Sequence, residues 1–400
     1  MSLVGLVQAR AGLSALKAFN RRARPAGMAL PPVSVLKPLK GDEPLLEAAL
    51  ASFCTQSYPD YQIVFGVQDV LDPAITVVER LRRLFPERDI TLVVDETEHV
   101  GNRKIANLVN MWPAAKHDII VLADSDVHVT PHFLERVVAA LAEPGVGAVT
   151  ALYAGVPGST SPAGRFGAAQ INHIFLSGVL VGRMLGRQDC LGAAIAVKRE
   201  MLGAIGGFAA LLPYLADDAA LGHLVRRQGG KVSLATNLVV TTVGEQRFVD
   251  LFRHELRWAR TIRALEPVTY ATTVLQLPIF WALLTLLCAG LALWAVGFVA
   301  IVWALRALIA RGMARQLGRG EFSGWLLPFR EGLTLAVLLA SYFGNQVEWR
   351  GVRMAAADDR RQLKARAALR ASGKPGLGKL GFFRTGFFKT GRFSRGINQL

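Results

Sequence analysis

IIVLADSDVHV, residues 119–129, decides the fold. A run of apolar residues ends abruptly in two aspartates one residue apart, Asp124 and Asp126. Carboxylates are among the least buried side chains. A chain that drives a buried strand straight into two of them is placing charge at a strand's carboxyl end. In open α/β sheets that is the end beyond which ligands bind.

The flanking sequence repeats the pattern. VSVLKPL (33–39) is β-branched and apolar, and a helix-like run follows from Gly41 through Cys54. YQIVFGVQD (61–69) is a second strand. Pro73 sits where a first-turn proline is tolerated, and a helix runs towards Phe85. ITLVVD (90–95) is a third strand. NRKIANLVNMW (102–112) carries Ile105, Leu108, Val109 and Trp112 at helical spacing. After the quoted strand a helix is expected over 131–141. Strands alternating with helices of this length predict an α/β fold with a mostly parallel sheet covered on both faces. Asp69, Asp72, Asp95, Asp124 and Asp126 all fall at or just after strand ends.

Carboxylates so close repel one another unless a cation or a donor joins them. Two carboxylates suit a hard divalent ion, whose remaining ligands are phosphate oxygens and water. An acidic pair alone is also an ordinary loop feature. Lys37 follows the first strand, and Arg103 and Lys104 open a helix whose N-terminus favours anions. Basic groups and a metal-ready acidic pair facing one edge point to a bound diphosphate. Further on, LADDAALG places Asp217 and Asp218 at a helix start. They are either an N-terminal cap of about 1 kcal/mol or, compatibly, a general base facing an acceptor hydroxyl. In HELRWAR (254–260), Arg257 and Trp258 read either as an interfacial anchor or as part of the site.

The 400 residues are 52% hydrophobic and 19% charged, with a formal charge of +16. From 271 to 308 the single charged residue is Arg306. That run exceeds the ~20 residues of one bilayer crossing, and two helices breaking near Ala289–Gly290 or Gly297 are expected. Arg306, Arg311, Arg315 and Arg319 then place the following loop on the cytoplasmic side. Residues 332–343 are short for a span and read as re-entrant or interfacial. The segment 164–186, apolar and sparsely charged, is either a core helix or an interfacial helix lining an acceptor opening. Residues 350–400 hold 13 Lys and Arg against two Asp, a basic tail expected to be disordered or to lie on an anionic leaflet. Nucleic acid is not an expected partner, because the adjoining segment is membrane-like. Cys54, Cys190 and Cys288 form neither a disulfide framework nor a zinc motif. The first 25 residues lack a signal-peptide pattern and read as a weak interfacial segment. The boundaries are therefore 1–30 (that segment), 31–265 (catalytic domain), 266–349 (membrane helices) and 350–400 (tail).

Over roughly 33–353 the chain resembles the ceramide glucosyltransferase family. SVLKPLKG, VQDVLDPAI, DSDVHV, LADDAALG and HELRW carry the likeness, in order and at comparable spacing. The resemblance implies a GT-A catalytic domain followed by C-terminal transmembrane or interfacial helices, in a multi-pass protein of a bacterial inner membrane with its catalytic domain cytoplasmic. It implies inverting transfer of a sugar from a UDP-sugar to a lipid hydroxyl. By position it puts Asp72 at the nucleotide, Asp124 at a metal–diphosphate site completed by Asp126, and Asp218 as catalytic base. Arg257 and Trp258 match the family's RW motif. His254 stands where that pattern has Gln or Arg, a departure that bears on its role. Lys37 and Lys104 would help hold the diphosphate, and Mg2+ or Mn2+ would be the metal. A related bacterial branch acts on hopanoids with N-acetylglucosamine, so UDP-glucose with ceramide and UDP-N-acetylglucosamine with a hopanoid both stay open. The rivals are a processive polysaccharide synthase, which would bring more membrane helices, and a non-catalytic membrane scaffold.

Overall fold

The computed structural model describes residues 1–22, 27, 29–318, 323–349 and 352–355. After helix α1 (Ser2–Asn20) the chain alternates strand and helix: β1 (Val33–Pro38), α2 (Leu46–Cys54), β2 (Tyr61–Val67), α3 (Ala74–Leu84), β3 (Asp89–Val94), α4 (Arg103–Met111), β4 (Ile119–Ala123). Every residue of β1, β2 and β4 is buried, as continuous apolar runs require when helices cover both faces. Two strands flank the next helix: β5 (Val127–His128), α5 (Phe133–Leu141) and β6 (Val146–Pro157). A long helical segment follows, α6 (Pro162–Gln170) and α7 (Leu176–Met184), joined by a π-helical turn over Ile171–Phe175. The sheet is completed by β7 (Ala194–Lys198) and β8 (Lys231–Val243), with α8 (Arg199–Ala204) and α9 (Asp217–Arg227) between them.

The eight strands lie in the order β3-β2-β1-β4-β7-β6-β8-β5. The first four are parallel to one another. Beyond β4 the sheet is mixed: β7 is antiparallel to both neighbours, β6 and β8 are parallel, and β5 is antiparallel to β8. The expected parallel sheet therefore holds for the first half and gives way where β7 enters. Ala123 ends the central strand β4 and Val127 begins the edge strand β5, yet four residues span at most about 14 Å. The sheet must curl until its last edge returns beside its centre, and Asp124–Asp126 occupy that seam.

The C-terminal part begins with α10 (Phe248–Leu265) and α11 (Pro267–Ala271), then α12 (Pro278–Cys288), α13 (Leu293–Leu317) and α14 (Leu327–Ser341), with a β9–β10 hairpin (Gln346–Trp349, Val352–Ala355). Only α13 is long and apolar enough to cross a membrane among the described residues. The first half of the expected pair is bent: residues 267–276 with α12 are together apolar enough to form one broken span or a re-entrant loop. Pro278 starts α12 and the segment is bent by 67° there, and the 11 residues of α12 rise only about 16 Å. The chain turns at Gly290 and Leu291, both at positive φ, close to the expected break at 289–290. At 15 residues α14 is also short of a span. The basic tail and Arg319 lie outside the described residues, apart from the backbone of β10.

Helix α1 buries one face, including Leu6, Leu13, Leu16 and Phe19, against α7, α12 and α13. The approach is close: a Cβ on Gly12 would sit 2.0 Å from Ser177 Oγ. Its other face leaves Leu3, Val4 and Val7 exposed, and Leu287, Leu293, Trp294 and Ile301 are exposed on or beside α12 and α13. The N-terminal segment is thus packed into the same unit as the apolar helices.

Candidate active site

Three peptide segments build the seam around Asp124 and Asp126. Asp124 N donates to Ala193 O (3.1 Å), and Thr242 N donates to Asp126 O (3.1 Å). Ser125 Oγ donates to Glu43 Oε2, and Thr241 Oγ1 donates to Asp126 Oδ2. Burial, then the neighbouring Asp124 charge, pushes the Asp126 carboxyl up to about 6. Lys37 lies beneath this loop. It was expected to face a diphosphate, and that placement is corrected: the side chain is fully buried. Its Nζ sits 3.9 Å over the Phe53 ring and donates to the carbonyls of Asp124 (2.7 Å) and Val127 (3.4 Å). Burial brings its pKa down to about 7. Lys37 fixes the loop from below.

Lys104 comes from the first turn of α4. Asn102 caps that helix, its Oδ1 accepting from Lys104 N (3.0 Å) and Ile105 N (3.2 Å). Its Nδ2 donates to Tyr214 O (3.0 Å) and Asp217 Oδ1 (3.2 Å), tying the start of α4 to the start of α9. Gly101 makes this junction possible, since at φ +123° a Cβ would meet Leu212 O at 2.2 Å. Lys104 Nζ then reaches Asp124 Oδ1 at 2.7 Å and Asp217 Oδ2 at 3.2 Å. Burial works against the ammonium, but Asp124 and Asp217 outweigh it and hold Lys104 above its ordinary range.

Asp218 follows Asp217 in the first turn of α9. Its Oδ1 accepts from Ala219 N (2.8 Å), and Gly192 leaves room beside Oδ2, where a Cβ would come within 3.3 Å. Burial, then Asp217, pushes the Asp218 carboxyl up to about 7. Lys104 bridges Asp124 and the neighbouring Asp217, so the two acidic segments, far apart in sequence, meet. Asp72 is fixed by backbone: both its oxygens accept from Gly41 N (2.9 and 3.0 Å), and Oδ1 also accepts from Ala74 N (2.9 Å) at the start of α3. It shapes the loop after β1.

The HELRW segment lies on α10. His254 Nδ1 pairs with Glu245 Oε1 just past β8, and its ring meets Trp258 edge-on at 4.5 Å. Burial opposes an ionised Glu245, but His254 and Arg257 outweigh it and hold the carboxyl below its ordinary range. Trp258 packs with Tyr153 and Phe175 around Ala168, Ile171 and Val243. The residues that sequence reasoning missed are Glu43, Thr241 and Asn102. Asn102 was readable as a cap ahead of a helical run; the other two carry no sequence signal.

Among the described residues no group of three or more His, Cys, Asp or Glu is arranged to hold a metal ion alone. Asp124 and Asp126 offer two hard oxygen donors whose mutual repulsion a dication relieves. They fit a metal that draws its other ligands from a bound diphosphate.

A sequence model of the family described as glycosyl transferase family 21 matches residues 1–362. Ceramide glucosyltransferase 1 of Caenorhabditis elegans is 26% identical over 254 residues, covering 62% of this chain and 53% of its own. The ceramide glucosyltransferase of Komagataella phaffii is 35% identical over 129 residues, 31% of this chain and 25% of its own. These matches span about half, or a quarter, of those relatives' lengths. Among solved structures, a mannosyltransferase from Pyrobaculum calidifontis, in complex with GDP-Man and Mn2+, aligns with a TM-score of 0.49 at 19% identity, covering 86% of this chain and 99% of that one.

Proposed function

The chain belongs to glycosyl transferase family 21, and from that premise we propose that it moves a hexosyl group from a UDP-sugar to the hydroxyl of a membrane lipid. The sugar is glucose and the lipid is ceramide. One observation carries this reading: Lys104 bridges Asp124 (2.7 Å) and Asp217 (3.2 Å), gathering the acidic strand end and the start of α9 into one cleft. Relatives named ceramide glucosyltransferases support the choice of sugar and lipid. Neither the fold nor these relatives favour a hopanoid acceptor with N-acetylglucosamine. The assembled acidic cleft argues against an inert scaffold.

In this mechanism Asp124 and Asp126 would hold Mg2+ or Mn2+, which when bound would supply positive charge against the diphosphate of the leaving UDP. Lys104 stands beside Asp124, where its ammonium would add positive charge on the same side. Asp218 accepts the proton of the lipid hydroxyl as its oxygen attacks the anomeric carbon. With a carboxyl at about 7 it is basic enough for the task and still substantially ionised at neutral pH. The C–O bond to the diphosphate breaks as the new bond forms, so an α-linked donor gives a β-linked product. Arg257, beside Glu245, adds positive charge on the α10 side. The exposed apolar residues of α1, α12 and α13 suit a bilayer surface, from which the acceptor is drawn.

The test is incubation of purified protein with Mn2+, UDP-glucose or UDP-N-acetylglucosamine, and vesicles carrying ceramide or a hopanoid polyol. Mass spectrometry should find hexosylceramide, and Asp124→Asn should abolish it. Absence of any glycosylated lipid, together with no metal-dependent UDP binding by calorimetry, would overturn the assignment.

A further inference from the structure

Asp217 has no part in the chemistry proposed above, yet it is the more deeply set of the two carboxylates on Lys104. Its side chain is 17% exposed and that of Lys104 15%, against 36% for Asp124. An ion arriving from solvent therefore meets Asp124 first. Both oxygens of Asp217 are engaged: Oδ2 lies 3.2 Å from Lys104 Nζ, and Oδ1 accepts from Asn102 Nδ2 at 3.2 Å. Asn102 is itself buried and fixed. Its N donates to Leu212 O (2.8 Å) and its Nδ2 to Tyr214 O (3.0 Å). Asp217 also stands in the first turn of α9, where the helix dipole favours a carboxylate.

Asp124 cannot serve Lys104 and a dication equally. With Mg2+ or Mn2+ on Asp124 and Asp126, the ammonium 2.7 Å from Asp124 Oδ1 would stand beside like charge. Its hold on Asp124 would weaken. Asp217, recessed and fixed by Asn102, would keep its own hold on the ammonium.

We propose that Asp217 is a positioning residue, which keeps the Lys104 ammonium in the cleft for the donor's diphosphate when a metal takes Asp124. The assignment rests on the transfer reaction proposed above. Without Asp217 the long, flexible Lys104 side chain loses the partner that the metal does not contest. Ordering that side chain against the diphosphate then costs binding energy.

Asp217→Asn keeps an acceptor for Asn102 and removes the charge that holds Lys104. UDP affinity at saturating Mn2+, read by calorimetry at pH 8, should fall about tenfold, a coupling of the size found between contacting residues. Lys104→Met should lose at least as much. The double variant should bind UDP no more weakly than Lys104→Met alone. UDP binding involves no proton transfer, so the role of Asp218 as base stays out of the readout. If melting curves show that Lys104→Met does not fold, Lys104→Gln takes its place in the cycle. Wild-type UDP affinity in Asp217→Asn overturns the assignment. So does a further tenfold loss when Asp217→Asn is added to the Lys104 variant, because Asp217 would then act through the fold and not through the ammonium. If wild type itself does not bind UDP with Mn2+, the transfer reading fails and this inference falls with it.

Discussion

Replacing Asp218 by Asn keeps the side chain's shape and removes its ability to take a proton. Burial, reinforced by Asp217, lifts this carboxyl from 3.8 to about 7, a difference of about 4 kcal/mol between its two protonation states. Asp218 is partly open to the cleft, and screening there reduces the usable figure to about 2 kcal/mol. The folded value lies above the unfolded one. Protonation therefore favours the folded protein, in full below about pH 4, and the benefit is lost as pH rises through 7. Asn carries no charge at any pH. At pH 8 Asp218→Asn should melt a few degrees above wild type, and the difference should vanish near pH 4. Turnover should move the other way, with kcat down about 10²–10⁴-fold and UDP affinity unchanged. In wild type at saturating Mn2+, kcat should rise with pH through about 7. Asp217→Asn removes a like charge and should move that limb to lower pH. The assays are initial rates from pH 5 to 9 and melting curves at three pH values. Near-normal turnover in Asp218→Asn, or lower melting at pH 8, would refute the reasoning.

Lys37→Met strips the donor from two buried carbonyls under the Asp124 loop, at a cost of about 1–3 kcal/mol; melting should fall, and Mn2+-dependent UDP binding should weaken in calorimetry. Arg330→Met leaves Glu255 buried without its partner at 2.7 Å, costing about 3–5 kcal/mol, whereas Arg330→Met with Glu255→Met should recover much of that loss in a double-mutant cycle. Gly12→Leu forces α1 off α7, because even a Cβ there falls 2.9 Å from Ser177 Cα; limited proteolysis should release the N-terminal helix, while Gly203→Ala, with open space around it, should not.

The parallel half of the sheet was legible because strands buried on both faces need continuous apolar runs, and nothing else in a soluble domain this size reads that way. The same uniformity hid Lys37. A strand without alternation does not reveal which face its one charged residue takes, and the deciding neighbours, Phe53 and two loop carbonyls, are contributed by other segments. The strand β7, AIAVK, was missed because small residues carry little strand signal, and with it went the switch to a mixed sheet. The apolar run from 271 to 308 told of membrane affinity and not of its geometry: Pro278 and the turn at Gly290–Leu291 shorten its first helix to half a bilayer. The meeting of Asp124 with Asp217–Asp218 was foreseen as a chemical need. Its means, Lys104 and Asn102, were only half visible.

HELRW was readable either as an interfacial anchor or as a piece of the active site, and its contacts lie on two faces of α10. Glu255 and Ala259, one turn apart, form the buried face of α10 towards α14. There Arg330 donates to both Glu255 oxygens (2.8 and 2.7 Å), and to Phe166 O (3.2 Å) of α6. The next residue, Glu331, accepts from Ile279 N (2.9 Å) and Phe280 N (3.2 Å) at the start of α12 and pairs with Arg306 of α13 (3.4 Å). His254 and Trp258, also one turn apart, take another face and meet Glu245 and the Tyr153–Phe175 cluster. A buried ion pair contributes little net stability over an apolar replacement. What two such pairs on consecutive residues contribute is direction: they set α10 against the apolar helices in one orientation, so that one face of α10 is held by charge and another by aromatic contact.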